Sequence, residues 1–226
     1  MSRREEILVE MGLTPIWKLR SREEAVFEKE VSTQEREKSP EKVSGWIGLK
    51  QAVPACTACG LHKGRAQTVF GVGDEDADWL LVGEAPGAEE DRLGDPFVGQ
   101  AGRLLDNMLA AIDLARDDNV YICNVLKCRP PGNRNPEPDE VAKCTPFLLR
   151  QIELIEPRLI VAMGRFAAQT LLNTDASIAS LRGRVHQYAG RPLIVTYHPA
   201  YLLRNLPDKS KAWADLVFAR KTMSSL

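Results

Sequence analysis

Four short apolar segments, at residues 79–85, 119–125, 158–163 and 193–197, alternate along the chain with stretches of helical periodicity. That alternation predicts parallel strands joined by crossover helices, with helices on both faces of one sheet. Helices are expected over residues 100–115, 138–156, 165–172 and 209–221. The first is amphipathic, with Leu104, Leu105, Met108, Leu109 and Ile112 on one face. Pro138 stands near the start of the second, where its fixed φ suits a helix. The expected class is therefore α/β. Parallel strands deliver their carboxyl ends to one edge of the sheet, and open α/β sheets place their sites outside those ends.

The residues at those ends are chemically suggestive. After the first strand comes GEAPGAEEDRLGDPFVG, residues 83–99. Its glycines permit sharp turns and close approach to a ligand. Gly83, Glu84 and Ala85 open it, Glu90 follows, and Phe97 offers a flat face on a Gly-flanked loop. Asn124 ends the second strand, Gly164 follows the third and His198 follows the fourth. Glu84, Asn124 and His198 should converge beside Phe97. Taken singly, each has a plainer reading: His198 as a loop or core residue, Asn124 as a cap, Phe97 as core. Together they suit a flipped-out base. An Asn amide donates and accepts on one planar face, which matches the N3–H and O4 edge of uracil. Cytosine reverses that pattern and leaves buried polar groups unpaired, at about 1–3 kcal/mol each. An aromatic side chain stacks on the base. A His near O2 stabilises developing negative charge, and a carboxylate orients water and favours a cationic sugar.

Composition limits the alternatives. The chain has 226 residues and a formal net charge of -1, so any nucleic-acid site must be a local basic patch rather than a global field. No run of about eighteen apolar residues is present, so no transmembrane helix is expected. The start, MSRREEILVE, lacks the apolar core of a signal peptide. A cytoplasmic, monomeric protein is expected. Residues 1–43 form a separate N-terminal extension: an apolar patch (Ile7, Leu8, Met11, Leu13, Ile16, Trp17) and then a charged run. The compact domain is expected over 44–226. Of five cysteines, Cys56 and Cys59 form a C-x2-C pair, and Cys128 and Cys144 are separated by fifteen residues. Four thiolates hold zinc or an iron–sulfur cluster, and spacing does not separate the two. Cys123 lies within a strand and is expected to fill core.

GEAPGAEEDRLGDPFVGQAGRLLD, VLKCRPPGNRNPEP and TYHPAYLLR resemble the signature blocks of the family 4, iron–sulfur, uracil-DNA glycosylases. The resemblance runs from about Trp46 to the C-terminus. It implies a three-layer α/β/α sandwich around a central, mainly parallel four-stranded sheet. The implied activity is monofunctional hydrolysis of an N-glycosidic bond, releasing uracil and leaving an abasic site for base-excision repair. Carried over by position, Phe97 stacks on uracil, Asn124 reads its edge and His198 faces O2. Glu84 lies by the sugar and positions water; Glu90 lies near the base and helps exclude the thymine methyl. Glu84 disfavours the related family with an apolar residue in place of that carboxylate. RPPGNRNPEP lacks the His-containing basic insertion of relatives that bond covalently to the abasic site, so turnover is expected. The resemblance also implies a structural [4Fe–4S] cluster on Cys56, Cys59, Cys128 and Cys144.

Uracil-containing DNA is then the expected partner. Arg129, Arg134, Arg184 and Arg204, with Lys127 and Arg182, lie in or near expected loops and are candidates for phosphate contacts. Tyr201 and Leu202 are candidates for a wedge filling the gap left by a flipped nucleotide. LVEMGLTPIWKLR resembles the N-terminal peptide by which the psi subunit of bacterial replicative polymerase binds chi, with one extra residue before Trp17. A replisome protein is the partner this implies; the alternative is that Ile16 and Trp17 pack on the chain's own domain. Two other functions stay open: a catalytically silent, cluster-bearing damage-binding or polymerase accessory protein, and a zinc-structured protein of another hydrolase class.

Overall fold

The computed structural model describes residues 45–226; the N-terminal extension and its expected docking peptide lie outside the described residues. The strands are β1 (Val72–Gly73), β2 (Trp79–Gly83), β3 (Val120–Asn124), β4 (Leu159–Met163), β5 (His186–Tyr188) and β6 (Arg191–Thr196). They form one six-stranded sheet in the order β1-β3-β2-β4-β6-β5. The four central strands, β3, β2, β4 and β6, are parallel, and β1 and β5 add antiparallel edges. The expected four strands are thus the centre of a larger, mixed sheet.

Both edges lacked an apolar run to announce them. β1 is only Val-Gly, and β5 is the half-exposed His-Gln-Tyr. β5 and β6 are joined through Ala189 and Gly190, both at positive φ. That is the geometry of a tight hairpin, and it is ordinarily signalled by Asn-Gly or Asp-Gly. The central strands are the reverse case. Every residue of β2, β3 and β4 is buried, as continuous apolar runs in a covered parallel sheet require.

The helices are α1 (Gly45–Ala55), α2 (Ala88–Leu93), α3 (Gln100–Ala110), α4 (Pro138–Ile155), α5 (Arg165–Leu172), α6 (Ile178–Leu181), α7 (Pro199–Arg204) and α8 (Lys209–Met223). Alternate strand residues separate into two apolar clusters. Leu80, Val82, Cys123, Ile160, Ala162 and Val195 meet Leu148 and Ile152 of α4 and Ala167, Ala168 and Leu171 of α5. Leu81, Ile122, Val161, Met163 and Ile194 meet Leu105 and Leu109 of α3 and Ala219 of α8. Cys123 therefore fills core. α3 stops five residues before the expected end. Leu114 N–H reaches back to Leu109 O at 3.0 Å, with Asp113 between them at φ 60°. This closes the helix in the manner of a Schellman cap, with Asp where glycine usually marks the stop. Among the described residues no helix is long and apolar enough to cross a membrane.

Candidate active site

The carboxyl ends of the parallel strands surround a cavity of about 730 Å³. Glu84, Ala85, Glu90, Phe97, Asn124 and His198 all line it, joined by Arg134, Arg165, Tyr201 and Arg204. The parallel register explains the meeting: Gly83 pairs with Asn124 across β2 and β3, and Glu84 follows directly.

Asn124 is 2% exposed and its Oδ1 accepts no hydrogen bond among the described residues. Its main chain is fixed by the buried Lys127, whose Nζ donates to the Asn124 carbonyl at 2.8 Å and to Gln151 Oε1 at 2.6 Å. A buried acceptor without a partner costs about 1–3 kcal/mol, so the fold holds this oxygen ready for an N–H donor. Gly83 acts as a spacer. A Cβ there would lie 2.3 Å from Asn124 Oδ1 and 2.7 Å from Phe97 Cζ.

The Phe97 ring lies 5.3 Å from the His198 ring, with 28° between their planes. Glu90, on the cavity wall, bonds to backbone on either side of it. Its Oε1 accepts from Val98 N–H at 3.2 Å and its Oε2 from Gly87 N–H at 3.1 Å. The carboxylate thus ties the Phe97 loop to the turn after β2.

His198 caps α7, its Nδ1 accepting from Ala200 N–H at 3.1 Å. The ring proton must then sit on Nε2. Burial, reinforced by the positive charge of Arg204, lowers the His198 pKa to about 4. The imidazole is therefore neutral at pH 7 and donates from Nε2 alone. Gly164, at φ 94° after β4, makes room: a Cβ there would stand 2.9 Å from His198 Cβ. Burial raises the pKa of the Glu84 carboxyl, and the guanidinium of Arg165 acts against that shift. Arg165 was not singled out from the sequence. Its signal was its place as the first residue of the helix after β4, at the edge where the other side chains gather.

The basic residues divide. Arg184 and Arg204 are exposed. Arg129 is half-buried and donates to Asn133 Oδ1 at 2.7 Å. Arg134 binds both oxygens of Glu140, at 2.9 and 2.6 Å, on the cavity wall. Two of the phosphate candidates are corrected. Lys127 is 1% exposed and spent on internal bonds. Arg182 pairs with the buried Asp215 at 2.6 Å and lies over the Tyr197 ring. Leu202 is corrected as a wedge: it is 1% exposed and packs with Tyr197 and Ala212. On the short helix α7 the outward position falls to Leu203, 38% exposed. Tyr201 lines the cavity, stacks on Tyr197 with centroids 5.2 Å apart, and donates its hydroxyl to Asp208 at 2.7 Å.

Cys56, Cys59, Cys128 and Cys144 line a second, small pocket with Leu61, Leu126 and Phe147. Arg65 Nη1 donates to Cys128 Sγ at 3.1 Å, and Lys127 N–H to Cys144 Sγ at 3.2 Å. Burial pushes the Cys144 thiol up to about 12 and raises that of Cys128, and neighbouring cysteines add to both shifts. Four thiolates do not coexist in such surroundings without a cationic centre, so the donor set fits a thiolate-held metal group. Among the described residues, no three Cys, His, Asp or Glu side chains gather as ligands of a single ion do.

The model of the uracil DNA glycosylase superfamily matches residues 70–217. The type-4 uracil-DNA glycosylase of Archaeoglobus fulgidus is 50% identical over 163 residues, covering 69% of this chain and 81% of the relative. That of Thermotoga maritima is 48% identical over 159 residues, covering 70% and 82%. That of Sulfurisphaera tokodaii is 44% identical over 165 residues, covering 70% and 75%.

Proposed function

The chain belongs to the type-4 uracil-DNA glycosylases, and from that premise we propose how its cavity performs the hydrolysis. The activity is cleavage of the N-glycosyl bond of deoxyuridine in DNA. Uracil enters between Phe97 and the Asn124 amide. Asn124 Oδ1 accepts N3–H, and Nδ2 donates to O4. Cytosine, with an acceptor at N3 and a donor at C4, opposes both groups. Phe97 stacks on the ring, a contact worth about 1–3 kcal/mol in nucleic-acid sites.

Bond breaking leaves the electron pair of the C1′–N1 bond on uracil, spread over N1 and O2. The neutral His198 donates its Nε2–H to O2, where charge grows. A donor aimed at developing charge in a dry site stabilises the transition state more than the ground state. Glu84 stands on the sugar side. Its carboxylate orients the water whose oxygen bonds to C1′ and takes the released proton. Burial raises its basicity for that step, while Arg165 keeps the ionised form accessible. Glu90 contributes by fixing the Phe97 loop. Arg165, Arg184 and Arg204 are the side chains we assign to phosphates, Arg134 being engaged with Glu140, and binding is then salt-dependent.

Cys56, Cys59, Cys128 and Cys144 would hold the [4Fe–4S] cluster of this family. When bound, such a cluster would supply a cationic centre for the four thiolates, and these residues would then tie the segment after α1 to α4 and to the loop after Asn124. Arg65 and the Lys127 amide would donate to its sulfur ligands. For residues 1–43 we propose a tether to a replisome protein, tested by pull-down with and without that segment.

The observation that carries the site assignment is the buried, unpartnered Asn124 Oδ1 beside Phe97 and the Nε2–H of His198. Uracil release from a defined oligonucleotide tests it. His198→Ala should lose about a hundred- to a thousand-fold in rate while still binding the substrate. Near-wild-type turnover would remove His198 from the mechanism.

A further inference from the structure

Phe97 sits at φ 55°. That left-handed conformation is strained for an aromatic residue and persists only where the surroundings impose it. Arg116, in the loop after α3, binds the backbone on either side of Phe97. Its Nη1 donates to the Pro96 carbonyl at 2.9 Å and its Nη2 to the Phe97 carbonyl at 2.7 Å. Its Nε donates to the Asp106 carboxylate on α3. The planar guanidinium thus spans two successive carbonyls and anchors its third edge to a helix. α3 also brings Gly102 beneath the same peptide, where a Cβ would lie 1.7 Å from Phe97 O. Across the loop, Glu90 holds Val98 N–H. The peptide groups on both sides of Phe97 are therefore pinned, and the ring is left against Gly83 and His198. Arg116 is not among the residues lining the cavity.

We propose that Arg116 is a positioning residue for base recognition. Its fork holds the Phe97 backbone in the left-handed conformation that turns the ring's face to the base. The proposal rests on the reading that Phe97 stacks on uracil. Lysine would not replace it, because an ammonium is a point donor rather than a planar fork. The pair with Asp106 is partly exposed, 21% and 48%, and a pair of that kind contributes little to stability by itself.

Binding to two oligonucleotides tests this. One carries an uncleavable fluorinated deoxyuridine, the other a tetrahydrofuran abasic analogue. Arg116→Ala should weaken the first complex about tenfold, the scale of a lost base stack, and leave the second unchanged. Arg116→Lys should fall between wild type and Arg116→Ala. Phe97→Leu should weaken the uracil complex similarly, and adding Arg116→Ala to it should cost nothing more, since both act through one ring. Equal weakening of both oligonucleotides, or additive losses in the double variant, would overturn the proposal. So would an unchanged Arg116→Ala beside an impaired Phe97→Leu, with stacking itself intact. An unimpaired Phe97→Leu would instead overturn the stacking reading. Should Arg116→Ala not fold, Arg116→Lys and Asp106→Asn carry the same comparison, each expected to impair only the uracil complex.

Discussion

The backbone N–H of Ala200 donates to Nδ1 of His198 across 3.1 Å and thereby fixes the tautomer of the imidazole. One main-chain bond, made because His198 caps α7, decides which ring nitrogen carries the proton toward the cavity.

The first prediction follows from that bond and from burial. The folded pKa of His198 lies near 4, below the ordinary 6.5. Between those values the unfolded chain binds the proton and the native chain does not. Stability from this group is therefore whole above about pH 6.5 and declines as pH falls toward 4, by up to roughly 3 kcal/mol. Turnover should not show a His198 titration between pH 5 and 8. Thermal melts of wild type and His198→Gln across pH 4–7 check the first point. An imidazole NMR titration of His198 with a midpoint near 6.5 would contradict both.

Asn124 gives a second prediction, in which base choice depends on protonation. Asn124→Ala should lose uracil excision while remaining folded. Asn124→Asp, once ionised, presents only acceptors and should also lose uracil activity. Excision of cytosine should appear only at pH values where that Asp is protonated and donates. Release assays on paired uracil and cytosine oligonucleotides over pH 4–8 measure this, and unchanged excision by Asn124→Ala would remove the residue from base reading.

Gly83→Ala should disable the site more than the fold. The added methyl would press on Asn124 Oδ1 and on the Phe97 ring. Overpacking of this kind costs typically about 1–3 kcal/mol, felt here at the two groups that hold the base. A fall of about tenfold in kcat/KM, on the lower part of that scale, with a small change in melting temperature, is the expected result. Wild-type kinetics would mean that the amide and ring tolerate displacement.

The fourth prediction separates the cysteines. Replacing Cys56, Cys59, Cys128 or Cys144 by Ala should lower iron content and the brown visible absorbance. Cys123→Ala should keep both, with a packing cost of about 1 kcal/mol for the small cavity it leaves. Iron analysis of the five purified variants decides it. Loss of iron in the Cys123 variant, with retention in the others, would reverse the assignment.

The site was legible where chemistry sits at the end of an apolar run. Glu84, Asn124 and His198 each follow or end a buried parallel strand, and parallel registry does the rest. Arg116 was not legible, because its partners are carbonyls nineteen and twenty residues away, and a carbonyl leaves no trace in sequence. Leu202 misled for a related reason. In a helix of six residues, too few turns are present for periodicity to show which of two adjacent leucines faces inward. Lys127 and Arg182 misled because a basic residue near a loop reads the same whether it meets solvent or a buried partner. The edge strands escaped because two- and three-residue segments are stabilised by pairing rather than by any pattern of their own.

Those short edges have a consequence for the behaviour of the chain at high concentration. Of the central strands, β2 and β4 are apolar along their whole length, the composition that templates cross-strand association when its backbone is bare. Here β1 and β5 close the sheet on either side with only two and three residues. Each offers too little unpaired backbone to recruit a strand from a neighbouring molecule. Among the described residues, the most apolar strands are thus flanked on both sides by the shortest ones.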